Sequence, residues 1–171
     1  AAEHTYKLLM SADEERREYM DMLSIIYTNL CNIDMDIDIE DAIEMYERAE
    51  SLEDRSDLHI NAGVSIVKYY EDMYDKNLET TYLDQAEDFL EKLLKETNRK
   101  NAKVLAVYAK HLAKREDYDR ALEAVEEGIA LLENKSLNKH DDEVLKSLMF
   151  SKASCYEYMS DYNTALECFN A

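Results

Sequence analysis

Three aspartates, Asp34, Asp36 and Asp38, stand at alternate positions in the stretch IDMDIDIED, which is how a calcium-binding loop spaces its first ligands. Such a loop also needs a glycine to turn the chain. A loop that starts at Asp34 has Ile39 in that place, and a loop that starts at Asp36 has Asp41 there. Calcium binding is therefore not expected. A strand is also rejected, because no second run of alternating apolar and polar residues offers it a partner.

Other catalytic or metal-binding patterns are missing from the sequence. None of the four histidines has a second His or Cys three or four residues away, so no zinc site is predicted. They are His4, His59, His111 and His140. The run from His140 to Asp142 is interpreted as an exposed loop. Without a nucleophile elbow, a phosphate-binding loop or an HExxH motif, the expectation is a protein that is not an enzyme and has no cofactor and no metal.

The chain carries 39 acidic and 20 basic residues, so its net charge is −19. This charge disfavours nucleic acid and anionic membranes as partners, because both present phosphates that bind Lys and Arg. It fits either a solvated acidic surface or a surface that attracts basic partners. Cys31, Cys155 and Cys168 form no CxxC pair, and each falls in a helical pattern. Buried, reduced cysteines and a cytoplasmic location are expected.

The 171 residues include no proline and two glycines, which excludes a fold rich in tight turns and favours helices. No apolar run is long enough to cross a membrane. A short pattern recurs as DIEDAIE at 38–44, DYDRALE at 117–123 and DYNTALE at 161–167, with a degenerate copy, YLDQAED, at 82–88. The alanines of these copies are 44, 35 and 44 residues apart. A repeat protein is therefore predicted.

Each alanine begins an apolar face on a helix, since further packing residues follow four and seven positions later. The triplets are Ala42, Tyr46 and Ala49; Ala86, Leu90 and Leu93; and Ala121, Val125 and Gly128. An earlier helix precedes each copy, clearest at Leu105, Tyr108, Ala109 and Leu112, and a weaker one is marked by Met149, Ala153 and Tyr156. Each unit is thus predicted to be two antiparallel helices.

The Asp that opens each copy is expected to cap the second helix, because its carboxylate can accept backbone N–H bonds. The apolar residue after it, Ile39, Tyr118 or Tyr162, would wedge between the two helices. Longer spacings predict insertions around Glu71–Thr81, Cys31–Ile37 and Glu133–Glu143, and the last of these is polar and loop-like.

The unit resembles the tetratricopeptide repeat (TPR) family, and the best match is VLAVYAKHLAKREDYDRALEAVEEGIALLE, residues 104–133. The resemblance implies an all-α fold, a right-handed α-solenoid of about nine helices in a single domain over 1–171. A second helix of a preceding repeat would occupy about 1–12, and four repeats would follow at about 14–54, 56–97, 101–134 and 143–171. Glu133 replaces the family's usual proline, so longer helices are expected. The chain is expected to be a segment of a longer protein.

In TPR-like folds, the first helices line a concave groove that receives a peptide or a helix. The resemblance therefore selects these candidate groove residues: Lys103, Lys110, Lys114, Phe150, Ser154, Tyr158, Ile25 and Asn29. The three lysines are four to seven residues apart and share one helix face, so they could bind a carboxylate. They could equally balance neighbouring acids. Val107 stands where the carboxylate clamp of chaperone-binding TPR proteins has a basic residue.

The leading functional prediction is a non-catalytic scaffold that binds a protein or peptide partner in this groove. The alternative is a ligand- or peptide-sensing regulatory domain of a multidomain bacterial transcription regulator or signalling protein. Because no polar helix caps either end of the predicted solenoid, self-association through an open end is a further expectation.

Overall fold

The computed structural model describes residues 26, 29, 38–50, 57–133 and 138–170, and the regular structure in this part of the chain is helical, with no strand. The all-α prediction is confirmed. The helices are α1 (Ile39–Glu50), α2 (Asp57–Asn77), α3 (Thr80–Glu96), α4 (Ala102–Lys114), α5 (Tyr118–Leu132), α6 (Lys139–Tyr158) and α7 (Tyr162–Asn170). None of them combines the length and apolarity needed to span a bilayer. The predictions for 1–12 and for Cys31–Ile37 lie outside the described residues.

Contacts divide the chain into two compact units, residues 1–72 and 73–171. In the first unit, the predicted face of α1 is buried, with Ala42, Tyr46 and Ala49 at most 1% exposed. The Tyr46 ring stacks on the ring of His59 in α2, with centroids 4.1 Å apart. These contacts confirm that α1 packs through the small and aromatic residues selected from the repeat.

In the second unit, α4 packs against α3, α5 and α6, while α6 also packs against α5 and α7. Gly128 of α5 faces Leu105 of α4, and Arg120, one turn into α5, bonds to Tyr108, farther along α4. The residue numbers thus run in opposite directions, so α4 and α5 are antiparallel. Gly128 also faces Leu148 of α6. A residue without a side chain therefore lies where three helices converge.

The three predicted aspartate caps are confirmed. Asp38 Oδ1 accepts a hydrogen bond from the Glu40 N–H at 2.9 Å. Asp117 Oδ1 accepts from Arg120 N–H at 3.4 Å, and Asp161 Oδ1 accepts from Thr164 N–H at 3.2 Å. Each bond satisfies an amide that the first turn of a helix leaves without a partner.

The joints before α5 and α7 have the same backbone path. Glu116 and Ser160, each just before a capping aspartate, adopt left-handed φ angles of 64° and 65°. In each joint the amide of the aspartate bonds back to a carbonyl five residues earlier, at 2.9 Å. This is the pattern that ends a helix sharply, so the chain reverses within three residues.

The polar stretch Glu133–Glu143 was predicted to be a loop, but its last part is helical. Helix α6 begins at Lys139, and its N-cap residue Asn138 forms a reciprocal capping box with Asp141. The run His140–Asp142 is consequently helical, which corrects the loop prediction. Helices α2 and α6 are long, with 21 and 20 residues, but α5 ends at Leu132, just before Glu133, so the absence of proline there does not lengthen that helix. The insertion near Glu71–Thr81 extends α2 to Asn77.

Two packing predictions near the end of the described chain are wrong. Tyr162 does not wedge between helices, because its side chain is 66% exposed. The residue of α7 that corresponds to the buried Val125 of α5, Phe169, is 50% exposed. Helix α6 covers α5, whereas no further described helix covers α7. In α6 itself, Leu148 is fully buried and Met149 only half-buried.

The predicted burial of the cysteines is confirmed for Cys155 and only in part for Cys168. Cys155 is free and buried, and burial raises the pKa of its thiol. Cys168 is free and half-buried. Cys31 lies outside the described residues.

Candidate functional site

A cavity of about 620 Å³ opens between α4 and α6. Helix α4 contributes Lys110, Ala113 and Lys114, the joint contributes Glu116, and α5 contributes Tyr118. Helix α6 contributes Ser147, Phe150, Ser151, Ser154 and Tyr158. The lining residues of α4 and α6 recur three, four or seven positions apart, so each helix turns a single face towards the space.

Five of the eight residues predicted for the groove meet in this cavity: Lys110, Lys114, Phe150, Ser154 and Tyr158. Lys103 does not line it and lies half-buried in the first turn of α4. Asn29 is helical and exposed in the other unit, and Ile25 lies outside the described residues. The cavity therefore brings together predicted residues from α4 and α6, whereas the third lysine, Lys103, lies elsewhere on α4.

The two cavity lysines differ in what surrounds them. Lys114 Nζ donates to both carboxylate oxygens of Asp75, at 2.8 and 2.9 Å, and lies 5.7 Å from the centroid of the Tyr74 ring. The Lys110 side chain is exposed and forms no hydrogen bond or ion pair with another described residue. Lys114 is thus neutralised by its own protein, as the alternative interpretation of the lysines expected, while Lys110 is not.

Aromatic side chains form the opposite part of the lining. The rings of Tyr118 and Tyr158 stack with centroids 5.7 Å apart and planes 10° apart. Phe150 packs edge-on against Phe169, yet it stays 63% exposed, and Tyr158 is 68% exposed. Large apolar surfaces left in water next to a cavity mark places where a partner gains by covering them.

Tyr118 belongs to the site, although the sequence analysis assigned it to packing alone. Burial of the ring raises the pKa of its phenol, and the nearby negative charge of Glu116 adds to the effect, followed by Tyr158. The repeat alignment contained a signal for this role, since a residue at the joint touches both the helix before it and the helix after it.

The lining of the cavity also includes hydroxyl groups and one carboxylate. Ser151 Oγ donates to the carbonyl of Ser147 at 3.0 Å, which leaves the Ser151 oxygen able to accept. The lining includes Glu116 and no histidine. This arrangement can bind a polar chain and hold an apolar side chain against the aromatic rings.

A second, smaller cavity of about 480 Å³ lies at the end of α3. Its lining includes Lys95, Arg99 and Tyr108, residues that the sequence analysis did not select for binding. Arg99 bonds to Glu127 at 2.8 Å, and Arg120 donates to the Tyr108 hydroxyl at 2.5 Å. The arginines here are paired within the protein, so the cluster stabilises the joint between α3, α4 and α5.

Within the described residues, no group of three His, Cys, Asp or Glu side chains is placed to hold a metal ion.

Comparison with known proteins finds similarity at the level of the fold. No protein-family profile matches the chain, and no curated protein matches it. Among solved structures, the crystal structure of BtubC (BKLC) from P. vanneervenii is similar, with a TM-score of 0.65 and 22% sequence identity. The match covers 98% of this chain and 69% of that chain. At this identity the similarity shows a shared helical fold.

Proposed function

We propose that this protein is a non-catalytic interaction scaffold, an α-solenoid of TPR-like helix pairs. Its α4–α6 cavity receives an extended peptide segment of a partner protein. The segment carries a carboxylate, which pairs with Lys110, and an apolar side chain, which covers Phe150 and Tyr158.

The observation that carries the proposal is the meeting of an unpaired cation with two exposed aromatic rings in a single cavity. Phe150 and Tyr158 are each more than 60% exposed, beside Lys110. Tyr and Phe give large contact areas for little loss of side-chain entropy, and such anchors supply most of the energy of peptide recognition.

The charge of the protein restricts the partner further. A net charge of −19 repels a strongly acidic segment at long range, although a single carboxylate can still pair with Lys110 at short range. The proposed partner segment is accordingly mostly apolar or neutral, with an isolated Asp or Glu.

A second candidate is a ligand-sensing regulatory domain. The cavity volume of about 620 Å³ supports it, because this is within the range of about 300–1,000 Å³ that small-molecule sites occupy. The two candidates differ in the ligand, since a small molecule would bind without any peptide segment.

The test is selection from a random peptide library against the 171-residue protein, followed by calorimetric titration of the best peptide. Enriched peptides should combine one acidic residue with a nearby aromatic or large aliphatic residue. Lys110→Glu and Tyr158→Ala should each weaken binding by about 5- to 30-fold, the effect of removing an interface anchor worth about 1–2 kcal/mol.

Matched controls are available outside the cavity. Lys139→Glu makes the same charge reversal on an exposed lysine outside the cavity, and Tyr162→Ala removes a tyrosine as exposed as Tyr158. Both should bind the peptide as the wild type does. Equal losses in the cavity variants and the controls, or no selected peptide, would reject the scaffold proposal. A small-molecule screen that yields a ligand blocked by Tyr158→Ala would then favour the sensing domain.

A further inference from the structure

Lys114, which lines the α4–α6 cavity, forms an ion pair with Asp75. Asp75, from the end of α2, places both carboxylate oxygens within 2.9 Å of the Lys114 amine. The Lys114 side chain is 22% exposed and that of Asp75 is 58% exposed. The ion pair is therefore partly exposed, and a ligand carboxylate that reaches Lys114 meets an amine whose charge Asp75 already neutralises.

The spacing of Lys110 and Lys114 is close to that of alternate side chains in an extended peptide. Lys110 and Lys114 are one helical turn apart, a rise of about 6 Å along α4. In an extended peptide, alternate side chains point to the same side and are about 6.6–6.8 Å apart. A peptide with acidic residues two positions apart would thus match both lysines, if both amines were available.

We propose that Asp75 acts as an internal competitor that occupies the second carboxylate position of the site. The inference rests on the proposed function of the cavity. In the wild-type protein, the site takes one ligand carboxylate, at Lys110, and rejects a second, because Asp75 already neutralises Lys114. Asp75 is thereby a specificity-determining residue, although it does not line the cavity.

Removal of the competitor should change the preference of the site. In Asp75→Asn, the Lys114 amine loses its ionic partner while the side chain keeps its size. A doubly acidic peptide can then pair with both lysines. The expected gain is about two- to fivefold in affinity, the effect of one partly exposed ion pair.

The experiment compares two peptides, the best binder from the library selection and its derivative with a second Asp two residues from the first. The readout is the ratio of their dissociation constants for each protein variant. We expect a ratio near one or in favour of the singly acidic peptide for the wild type. Asp75→Asn should shift the ratio about two- to fivefold towards the doubly acidic peptide, and Asp75→Asn combined with Lys114→Met should abolish the shift.

Asp88→Asn serves as the control, because it removes the same charge from an exposed residue of α3 that does not line the cavity. A shift of equal size in Asp88→Asn would overturn the proposal, since long-range charge alone would then explain it. An unchanged ratio in Asp75→Asn would also overturn it. If the wild type binds neither peptide, the proposed function itself fails, and this outcome is distinguishable from the other two.

A measurement on the wild-type protein keeps the proposal falsifiable if Asp75→Asn does not fold. Nitrogen-15 spectra of the lysine ammonium groups report each amine separately. Addition of the singly acidic peptide should move the Lys110 signal and leave the Lys114 signal in place. Movement of the Lys114 signal to a similar extent would show that Asp75 does not hold that amine against a ligand.

Discussion

Both terminal methyl carbons of Leu148 lie 2.9 Å from the position that a Cβ atom on Gly128 would take. The Cβ atom of Leu105 lies 3.5 Å from the same point. Gly128 is buried in the middle of α5, where glycine costs about 1 kcal/mol of helix stability relative to alanine. The close approach of α4 and α6 explains why this cost is tolerated.

The first prediction concerns this contact. Gly128→Ala should lower the free energy of unfolding by up to about 2 kcal/mol, because overpacking costs about 1–3 kcal/mol and exceeds the gain in helix propensity. In a Leu148→Ala background the same change should instead raise stability by about 1 kcal/mol, since the methyl carbons are gone. Urea denaturation followed by circular dichroism measures both.

The control for helix propensity is Ala130→Gly, on the exposed face of the same helix. It should cost about 1 kcal/mol, the intrinsic difference between the two residues. If Gly128→Ala has the same effect in both backgrounds, the steric account is wrong.

The second prediction concerns the core of the first unit. Tyr46 is fully buried and stacks on His59, so Tyr46→Ala should cost about 3–5 kcal/mol, the range for removal of a buried aromatic side chain. Tyr69→Ala, at a half-buried tyrosine of α2, should cost markedly less. Thermal and urea unfolding would show the difference, and equal losses would contradict the packing described for α1.

The third prediction concerns the cap of α7. The Thr164 hydroxyl donates to Asp161 Oδ2 at 2.7 Å, and together with the Thr164 amide it lowers the pKa of the Asp161 carboxyl. Because this pKa is lower in the folded protein, the cap contributes stability above the unfolded value of about 3.9. The contribution is lost as the pH falls through the folded pKa.

Carboxyl carbon NMR titration checks the cap directly. Thr164→Val removes the hydroxyl donor and should raise the pKa of Asp161 towards its ordinary value, whereas Thr164→Ser keeps the donor and should leave it low. The same titration midpoint in both variants would contradict the role of the hydroxyl.

The fourth prediction concerns Tyr118 in the cavity. Burial of the ring and the charge of Glu116 raise the pKa of its phenol above the ordinary value of about 10. Below pH 10 the Tyr118 phenol is neutral in both the folded and the unfolded protein, so its ionisation does not change the free energy of unfolding there. Above pH 10 the unfolded protein ionises first, so the stability falls as the pH rises through the folded pKa. Glu116→Gln should lower this pKa in NMR titrations of ring-labelled tyrosine, with Tyr118→Phe to assign the signal. An unchanged midpoint would exclude the contribution of Glu116.

The joints were the most predictable part of the fold, because their determinants are local. A carboxylate that caps the first turn acts within three residues, so Asp38, Asp117 and Asp161 could be assigned from the repeated pattern alone. The extent of α6 was less predictable, since its start depends on the reciprocal cap between Asn138 and Asp141. In the sequence, both look like part of a polar loop.

The candidate site was predicted in part. Helical spacing placed Lys110 and Lys114 on one face of α4, and the repeat pattern placed Phe150, Ser154 and Tyr158 on a single face of α6. The inclusion of Lys103 was wrong for this cavity, because periodicity defines a face and does not determine how far along the helix a cavity extends.

The sequence by itself determined the helical class, the repeated joint and the small residue at Gly128, since these follow from propensities, caps and spacings along one stretch of chain. Only the tertiary structure decided which charges are available to a partner. Asp75 lies 39 residues from Lys114 in the chain, and no local rule connects them. The Asp75 side chain, at the end of α2, pairs with Lys114 of α4 and leaves Lys110 as the available cation of the cavity.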